Sequence, residues 1–164
     1  MPTEIKRKVR LLILLHIGLI AGFSKADFFK VMSGKEVREM TSMIETLELN
    51  GDQVDNMAYM GALKMRKSEF LKQVKGKLEL FKQGKFLLEN AISKNVDNPE
   101  YRFLRLMIQE HAPKILKYNH QVEADTKLII KEYDHMSPDI KDAVLNYAKT
   151  SPGLKKFFYA NLSK

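Results

Sequence analysis

Apolar residues recur every three or four positions along most of the chain after residue 33. The first such set consists of Val37, Met40, Ile44 and Leu47. This spacing matches the 3.6-residue turn of an α-helix and places the apolar side chains on one face. No segment alternates apolar and polar residues for long enough to predict a β-strand. The pattern therefore predicts an all-α protein.

Capping and turn residues predict where the helices begin and end. A capping box, in which a serine and a glutamate cap each other's backbone N–H groups, covers residues 33–36 and predicts a helix start. Ser68 is expected to open a later segment, which Gly84 divides from a shorter helix. Cap–proline pairs predict three further starts, at Asn98-Pro99, Ser137-Pro138 and Ser151-Pro152. These boundaries give a single domain, residues 27–164, of about six to seven short helices packed as antiparallel pairs.

The helix predicted after Pro99 has two faces of different composition. Its predicted buried stripe consists of Tyr101, Leu104, Met107 and Ile108. The opposite face carries Arg102, Arg105 and Gln109. At the other end of the domain, Phe157, Phe158 and Leu162 are expected to dock the last helix onto the core.

The first 26 residues have the organisation of a secretory signal peptide. Four basic side chains precede an apolar run from Leu11 to Phe23, and Ser24-Lys25-Ala26 places small residues where a signal peptidase reads. The run is shorter than the ~20 residues that a membrane-spanning helix needs. We expect cleavage after Ala26, export to the periplasm or the extracellular space, and no transmembrane segment in the mature chain. An uncleaved anchor and an ordinary buried first helix are the alternatives.

Charge and cysteine content narrow the class of protein. The 164-residue chain has a formal net charge of +8. Residues 27–164 hold 23 basic and 19 acidic side chains, a net charge of +4, so half of the excess lies in the predicted signal. The absence of cysteine excludes disulfides, thiol catalysis, thiolate metal sites and the lipidated cysteine of a bacterial lipoprotein.

A run of lysines between residues 64 and 85 is the first candidate binding feature. Lys72, Lys75 and Lys82 are predicted to share one helix face, with Glu79 between them. The opposite face is predicted to carry Phe70, Val74 and Phe81. Such a face would suit anionic lipid headgroups, an acidic polysaccharide or an acidic protein, and a merely solvated surface is the alternative. No aromatic residues interleave with the lysines as a base-stacking surface requires, so we predict no nucleic-acid partner.

A cluster of methionines is the second candidate. Five lie within 26 residues, at positions 40, 43, 57, 60 and 65, and Met57 and Met60 are the predicted contact residues. Flexible thioethers suit a groove for hydrophobic ligands or amphipathic peptides. Ordinary core packing is the alternative, and the absence of a nearby histidine argues against a Cu(I) site.

The residues that carry common catalytic chemistry are sparse. His111, His120 and His135 lie near proline-marked helix boundaries, and Glu110 precedes the first of them. No HExxH, GxSxG or P-loop spacing is present. The sequence therefore predicts no catalytic residue, no metal, no cofactor and no enzymatic activity.

Two segments resemble the helical hairpin of tetratricopeptide repeats. The first carries Tyr59, Gly61 and Ala62, and the second carries Gly84, Leu88 and Ala91 before a turn at 97–99. The match covers about one repeat, Val96 stands where the repeat usually has proline, and no second copy appears at a period of about 34 residues. The resemblance implies a scaffold for protein contacts.

Together these features predict an exported, non-enzymatic helical protein that binds another protein of the cell envelope. The alternative is a module that binds a small hydrophobic ligand or lipid in a cavity lined by methionines and by the aromatic last helix. An enclosed apolar pocket would favour the ligand, and an open concave surface would favour the protein.

Overall fold

A computed structural model describes residues 24–51 and 53–162 of the chain. These residues form eight α-helices packed into one compact domain and contain no strand, so the all-α prediction is confirmed. The helices are α1 (Lys25–Ser33), α2 (Val37–Leu49), α3 (Val54–Ser68), α4 (Val74–Lys94), α5 (Pro99–Gln109), α6 (Val122–Glu132), α7 (Pro138–Ala148) and α8 (Lys155–Leu162). Two 3₁₀ turns, Lys114–Leu116 and Tyr133–His135, precede and follow α6.

Helices α3 and α4 form a closely packed antiparallel hairpin, the most extensive helix contact in the described domain. Gly61 faces Gly84 and Leu88, whereas Met65, one turn further along α3, faces Gly84. A Cβ atom on Gly84 would lie only 2.5 Å from the carbonyl oxygen of Gly61 and 2.8 Å from the backbone nitrogen of Met65. The predicted division of this segment at Gly84 is therefore wrong. Gly84 lies inside one continuous helix, and the residue there is a glycine because α3 leaves no room for a side chain.

The capping roles predicted for two serines are also wrong, although the helix predicted after residues 33–36 is present and begins at Val37. Ser33 is the last residue of α1 instead of a cap for the next helix, and α2 begins after Glu36, whose side chain makes no capping hydrogen bond. Ser68 ends α3 instead of opening α4, because its hydroxyl donates to the carbonyl oxygen of Met65 at 2.6 Å. A serine hydroxyl can serve either end of a helix, so the capping pattern alone does not fix its direction.

Helix α5 lies at the centre of the domain, and every side chain from residue 103 to 109 is buried. The predicted start is confirmed, since the Asn98 side chain accepts hydrogen bonds from the backbone N–H groups of Glu100 and Tyr101. The face that carries Arg105 and Gln109 is covered as well, because α6 packs against it. A helix with neighbours on all sides has no solvent face.

The covered face of α5 contains a buried ionic network. Arg105 donates two hydrogen bonds to Asp125 of α6, each 2.7 Å long, and a third to Glu89 of α4 at 2.8 Å. Arg102 donates to the same Asp125 at 3.0 Å, and the Tyr118 hydroxyl donates to Glu89 at 2.6 Å. The Asp125 side chain is fully buried. The network thus joins α4, α5, α6 and the loop before α6.

The folded domain begins upstream of the predicted mature terminus. Ser24 caps α1 by accepting a hydrogen bond from the backbone of Asp27 at 3.3 Å, and Phe28 in the first turn is fully buried. Lys25 forms a 2.7 Å ion pair with Glu100 of α5. The predicted signal segment up to residue 23 lies outside the described residues. Among the helices that are described, none combines the length and the apolar character required to span a membrane.

The last helix, α8, packs against α7. Leu154, just before α8, is fully buried, and its backbone N–H donates to the Ser151 hydroxyl at 3.1 Å. Phe157 and Phe158 are half-buried, with the ring of Phe157 5.0 Å from that of Tyr133. The side chain of Leu162 lies outside the described residues.

Candidate functional site

A cleft of about 610 Å³ opens to solvent between α1, α7 and the C-terminal ends of α3 and α5. Its apolar floor consists of Phe29, Met32, Met107 and Ala143. Phe29 and Met32 lie one turn apart on α1 and are both buried. The Phe29 ring also lies 5.5 Å from that of Phe103, so the floor continues directly into the core.

The walls of the cleft carry charges of both signs. Lys30 projects from the last turn of α1, and Asp139 and Asp142 project from α7. All three are exposed, and none makes an ion pair with another described residue. Burial, and then the charge of Asp142, raises the pKa of the neighbouring Tyr133. The cleft therefore offers one cation and two carboxylates to a ligand around an apolar floor.

Arg66 of α3 fixes one end of the cleft. Its Nε donates to the carbonyl oxygen of Met32 at 3.2 Å, and its Nη2 donates to that of Gly34 at 3.1 Å. Another guanidinium nitrogen forms an ion pair with Glu69. The first two bonds attach the guanidinium to the C-terminal end of α1, where the helix dipole favours a positive charge. The role of Arg66 is thus to hold the α1 wall in place.

Hydrogen bonds to Glu110 hold α7 and α8 to the end of α5. The Tyr147 hydroxyl donates to one carboxylate oxygen at 2.8 Å, and the Ser151 hydroxyl and Gly153 backbone both donate to the other at 2.9 Å. Burial, followed by the charge of Glu110, raises the pKa of Tyr147. The Glu110 carboxylate thus holds Tyr147 of α7 and the loop before α8 in fixed positions at the end of α5.

The three histidines named in the sequence analysis, His111, His120 and His135, lie in separate places. His111 lines the cleft, with Nδ1 3.0 Å from the carbonyl oxygen of Met107. His120 lies against the Tyr118 ring, and His135 borders a smaller depression of about 380 Å³ beside Glu100. Within the described part of the chain, no three His, Cys, Asp or Glu side chains converge as metal ligands would.

The residues predicted to bind a partner lie outside the cleft. Met57 and Met60 of α3 are partly buried and pack against the core, and neither lines the cleft. Lys72 lies just before α4, and Lys75 and Lys82 lie on its outer surface. Val74, predicted on the side opposite the lysines, is 80% exposed and lies beside Lys75.

Sequence reasoning missed most of the residues that line the cleft. Phe29 and Met32 follow the predicted cleavage position directly, and their spacing was the one signal that could have indicated a helix there. Asp139 and Asp142 carried no such signal, because acidic residues are common both in the first turn of a helix, where Asp139 lies, and on an exposed helix face, where Asp142 lies.

The chain matches no protein-family model, no curated protein and no solved structure. The resemblance to a tetratricopeptide hairpin therefore stays a prediction, and the function must be inferred from the residues themselves.

Proposed function

We propose that this is an exported, non-enzymatic helical protein that binds a segment of another envelope protein in the cleft between α1 and α7. The observation that supports this proposal best is the open cleft of about 610 Å³, with its apolar floor and charged walls. Protein-binding sites commonly combine an apolar centre with a polar rim.

The positions of the charges support a polypeptide as the ligand. Lys30 extends from one wall, and Asp139 and Asp142 extend from the other, so both signs are available to side chains of a bound segment. Ordered helices carry all three residues, which lowers the entropy lost when a partner binds.

A small hydrophobic ligand or lipid is the second candidate. Phe29, Met32 and Met107 in the floor favour it, because an aromatic ring and flexible thioethers can pack around an apolar molecule. The opening of the cleft to solvent favours the protein segment. The predicted cavity between Met57, Met60 and the last helix is not part of this proposal, since those methionines pack against the core.

Site-specific crosslinking in the producing cell tests the proposal. A photoreactive amino acid at Asn146, which lines the cleft, should yield a crosslinked envelope protein that mass spectrometry identifies. Adding Ala143→Trp should fill the floor and abolish the crosslink. The matched control Ala124→Trp, at an exposed position on α6, should leave it intact. Crosslinks to lipid alone would support the second candidate, and an adduct that persists in Ala143→Trp would contradict both.

Export is tested separately by mass spectrometry of the protein from the same cell. The proposal predicts an envelope protein whose chain begins at Asp27. A chain that retains Met1 and is found in the cytoplasm would contradict export.

A further inference from the structure

The outer surface of α4 carries an exposed row of apolar and basic side chains. Val74, Leu78, Lys82 and Phe86 are spaced four residues apart, about one helical turn, and cover about 18 Å along the 21-residue helix. Val74 is 80% exposed, Phe86 68% and Leu78 41%. We call this row, together with the exposed Lys72 and Lys75, the α4 ridge.

The lysines of the α4 ridge lack internal partners. Lys72, Lys75 and Lys82 form no ion pair with any described residue, whereas Lys25 and Lys64 each pair with a carboxylate. One acidic side chain, Glu79, is exposed among them, and it accepts a hydrogen bond from Gln83. The ridge therefore presents three cations against one anion to the solvent.

The shape of the ridge argues for a broad surface as its partner. The inner face of α4 packs against α3, so the ridge is the convex outer side of the hairpin. None of its residues lines either of the two depressions described above. A membrane interface accepts both kinds of side chain at once, because lysines meet lipid phosphates while apolar groups enter the acyl boundary. An acidic protein would satisfy the lysines but would need its own apolar recess for Phe86.

We propose that the α4 ridge binds the surface of an anionic phospholipid bilayer. Lys72, Lys75 and Lys82 contact the phosphates, and Val74, Leu78 and Phe86 insert beside them. This site lies on a different face from the α1–α7 cleft, so the protein would bind a membrane and a partner at the same time.

Vesicle cosedimentation tests the proposal with protein purified from the producing cell. Vesicles contain either phosphatidylcholine alone or equal amounts of phosphatidylcholine and phosphatidylglycerol. We expect tighter binding to the anionic vesicles, decreasing as salt is raised. The triple variant Lys72→Gln, Lys75→Gln, Lys82→Gln should bind them at least tenfold more weakly at low salt, since each lysine near such a surface contributes about fivefold. Phe86→Ser should weaken binding severalfold at low and at high salt.

Matched controls distinguish an effect of the ridge residues from a general effect of net charge or of exposed apolar side chains. The triple variant Lys127→Gln, Lys131→Gln, Lys149→Gln makes the same change in charge on α6 and just after α7. The variant Leu49→Ser removes an exposed leucine from the end of α2. Both controls should bind as the unmodified protein does. Circular dichroism should show unchanged helix content in every variant, because the substituted side chains are exposed.

Three results would overturn the proposal. The first is equal binding to both kinds of vesicle, and the second is an equal loss in the controls. The third is a pair of findings: Phe86→Ser has no effect on vesicle binding, and the triple lysine variant loses binding to soluble polyglutamate as much as to vesicles. That pair would identify an acidic protein as the partner.

Discussion

Two groups of basic side chains differ in almost every physical respect. Arg105 is 4% exposed and binds both oxygens of a fully buried Asp125. Lys72, Lys75 and Lys82 on the other side of the hairpin are exposed and make no ion pair with any described residue. The arginine is committed to the fold, whereas the lysines remain available to a ligand. Pairing and burial, rather than charge itself, distinguish a structural cation from a candidate binding residue.

The largest effect is expected at the buried network. Arg105→Met should lower the free energy of unfolding by about 3 kcal/mol, because it leaves Asp125 buried with a weaker partner. The value lies at the lower end of the usual range because Arg102 keeps its 3.0 Å bond to Asp125. Chemical denaturation measures the change, and Lys82→Met on α4 is the control. Equal stability of the two variants would contradict the contrast between the groups.

A smaller effect is expected from the first residues of α1. A chain beginning at Asp27 lacks the Ser24 cap and the Lys25–Glu100 ion pair, so it should be less stable than one beginning at Ser24 by about 2 kcal/mol. Thermal unfolding of the two forms provides the measurement. Identical melting temperatures would show that residues 24–26 contribute nothing to the fold and that cleavage after Ala26 has no cost.

Lys25 is intermediate between the two groups, because 38% of its side chain is exposed while its partner Glu100 is only 15% exposed. Burial raises the pKa of Glu100, and Lys25 opposes that shift. Because the pKa of Glu100 is raised in the folded protein, the fold loses stability as pH rises from the unfolded pKa of about 4.5 through the folded pKa. Below pH 4.5 the carboxyl group is neutral in both states and costs no stability. Lys25→Met should therefore cost about 1 kcal/mol at pH 7 and much less near pH 4.

The comparison of stabilities at the two pH values distinguishes the ion pair with Glu100 from the contact of Lys25 with the Tyr59 ring. If Lys25→Met loses the same stability at both pH values, the loss would come from the Lys25 ammonium group, whose Nζ lies 5.9 Å from the centre of the Tyr59 ring. Adding Glu100→Gln to Lys25→Met should remove most of the pH dependence of the stability loss, since the titrating carboxyl group is then absent.

The smallest effect is expected at the α4 ridge. Converting Lys72, Lys75 and Lys82 to glutamine should change the free energy of unfolding by less than about 0.5 kcal/mol in total, as is usual for exposed side chains. Denaturation under the conditions used for Arg105→Met measures it. A loss of several kcal/mol would show that these lysines belong to the fold, and the membrane proposal would lose its premise.

Part of the fold could be predicted because its signals are local. The Asn98-Pro99 start of α5 depends on a side chain that bonds to N–H groups two and three residues away, and the structure shows those bonds. Less of the candidate site could be predicted from the sequence. The lysines were correctly placed on an exposed surface, but the α1–α7 cleft was missed because its walls are about 110 residues apart in the chain.

The sequence by itself determined the all-α class, since helical spacing of apolar residues requires only short-range backbone geometry. The tertiary structure decided which faces are covered. Arg105 is buried because Asp125 of α6 meets it, and α4 continues through Gly84 because Gly61 of α3 lies against it. Each outcome depends on a partner distant in sequence, and the energy of a buried group is set by that partner. The same packing left the outer side of α4 uncovered, which is why its lysines and Phe86 face the solvent.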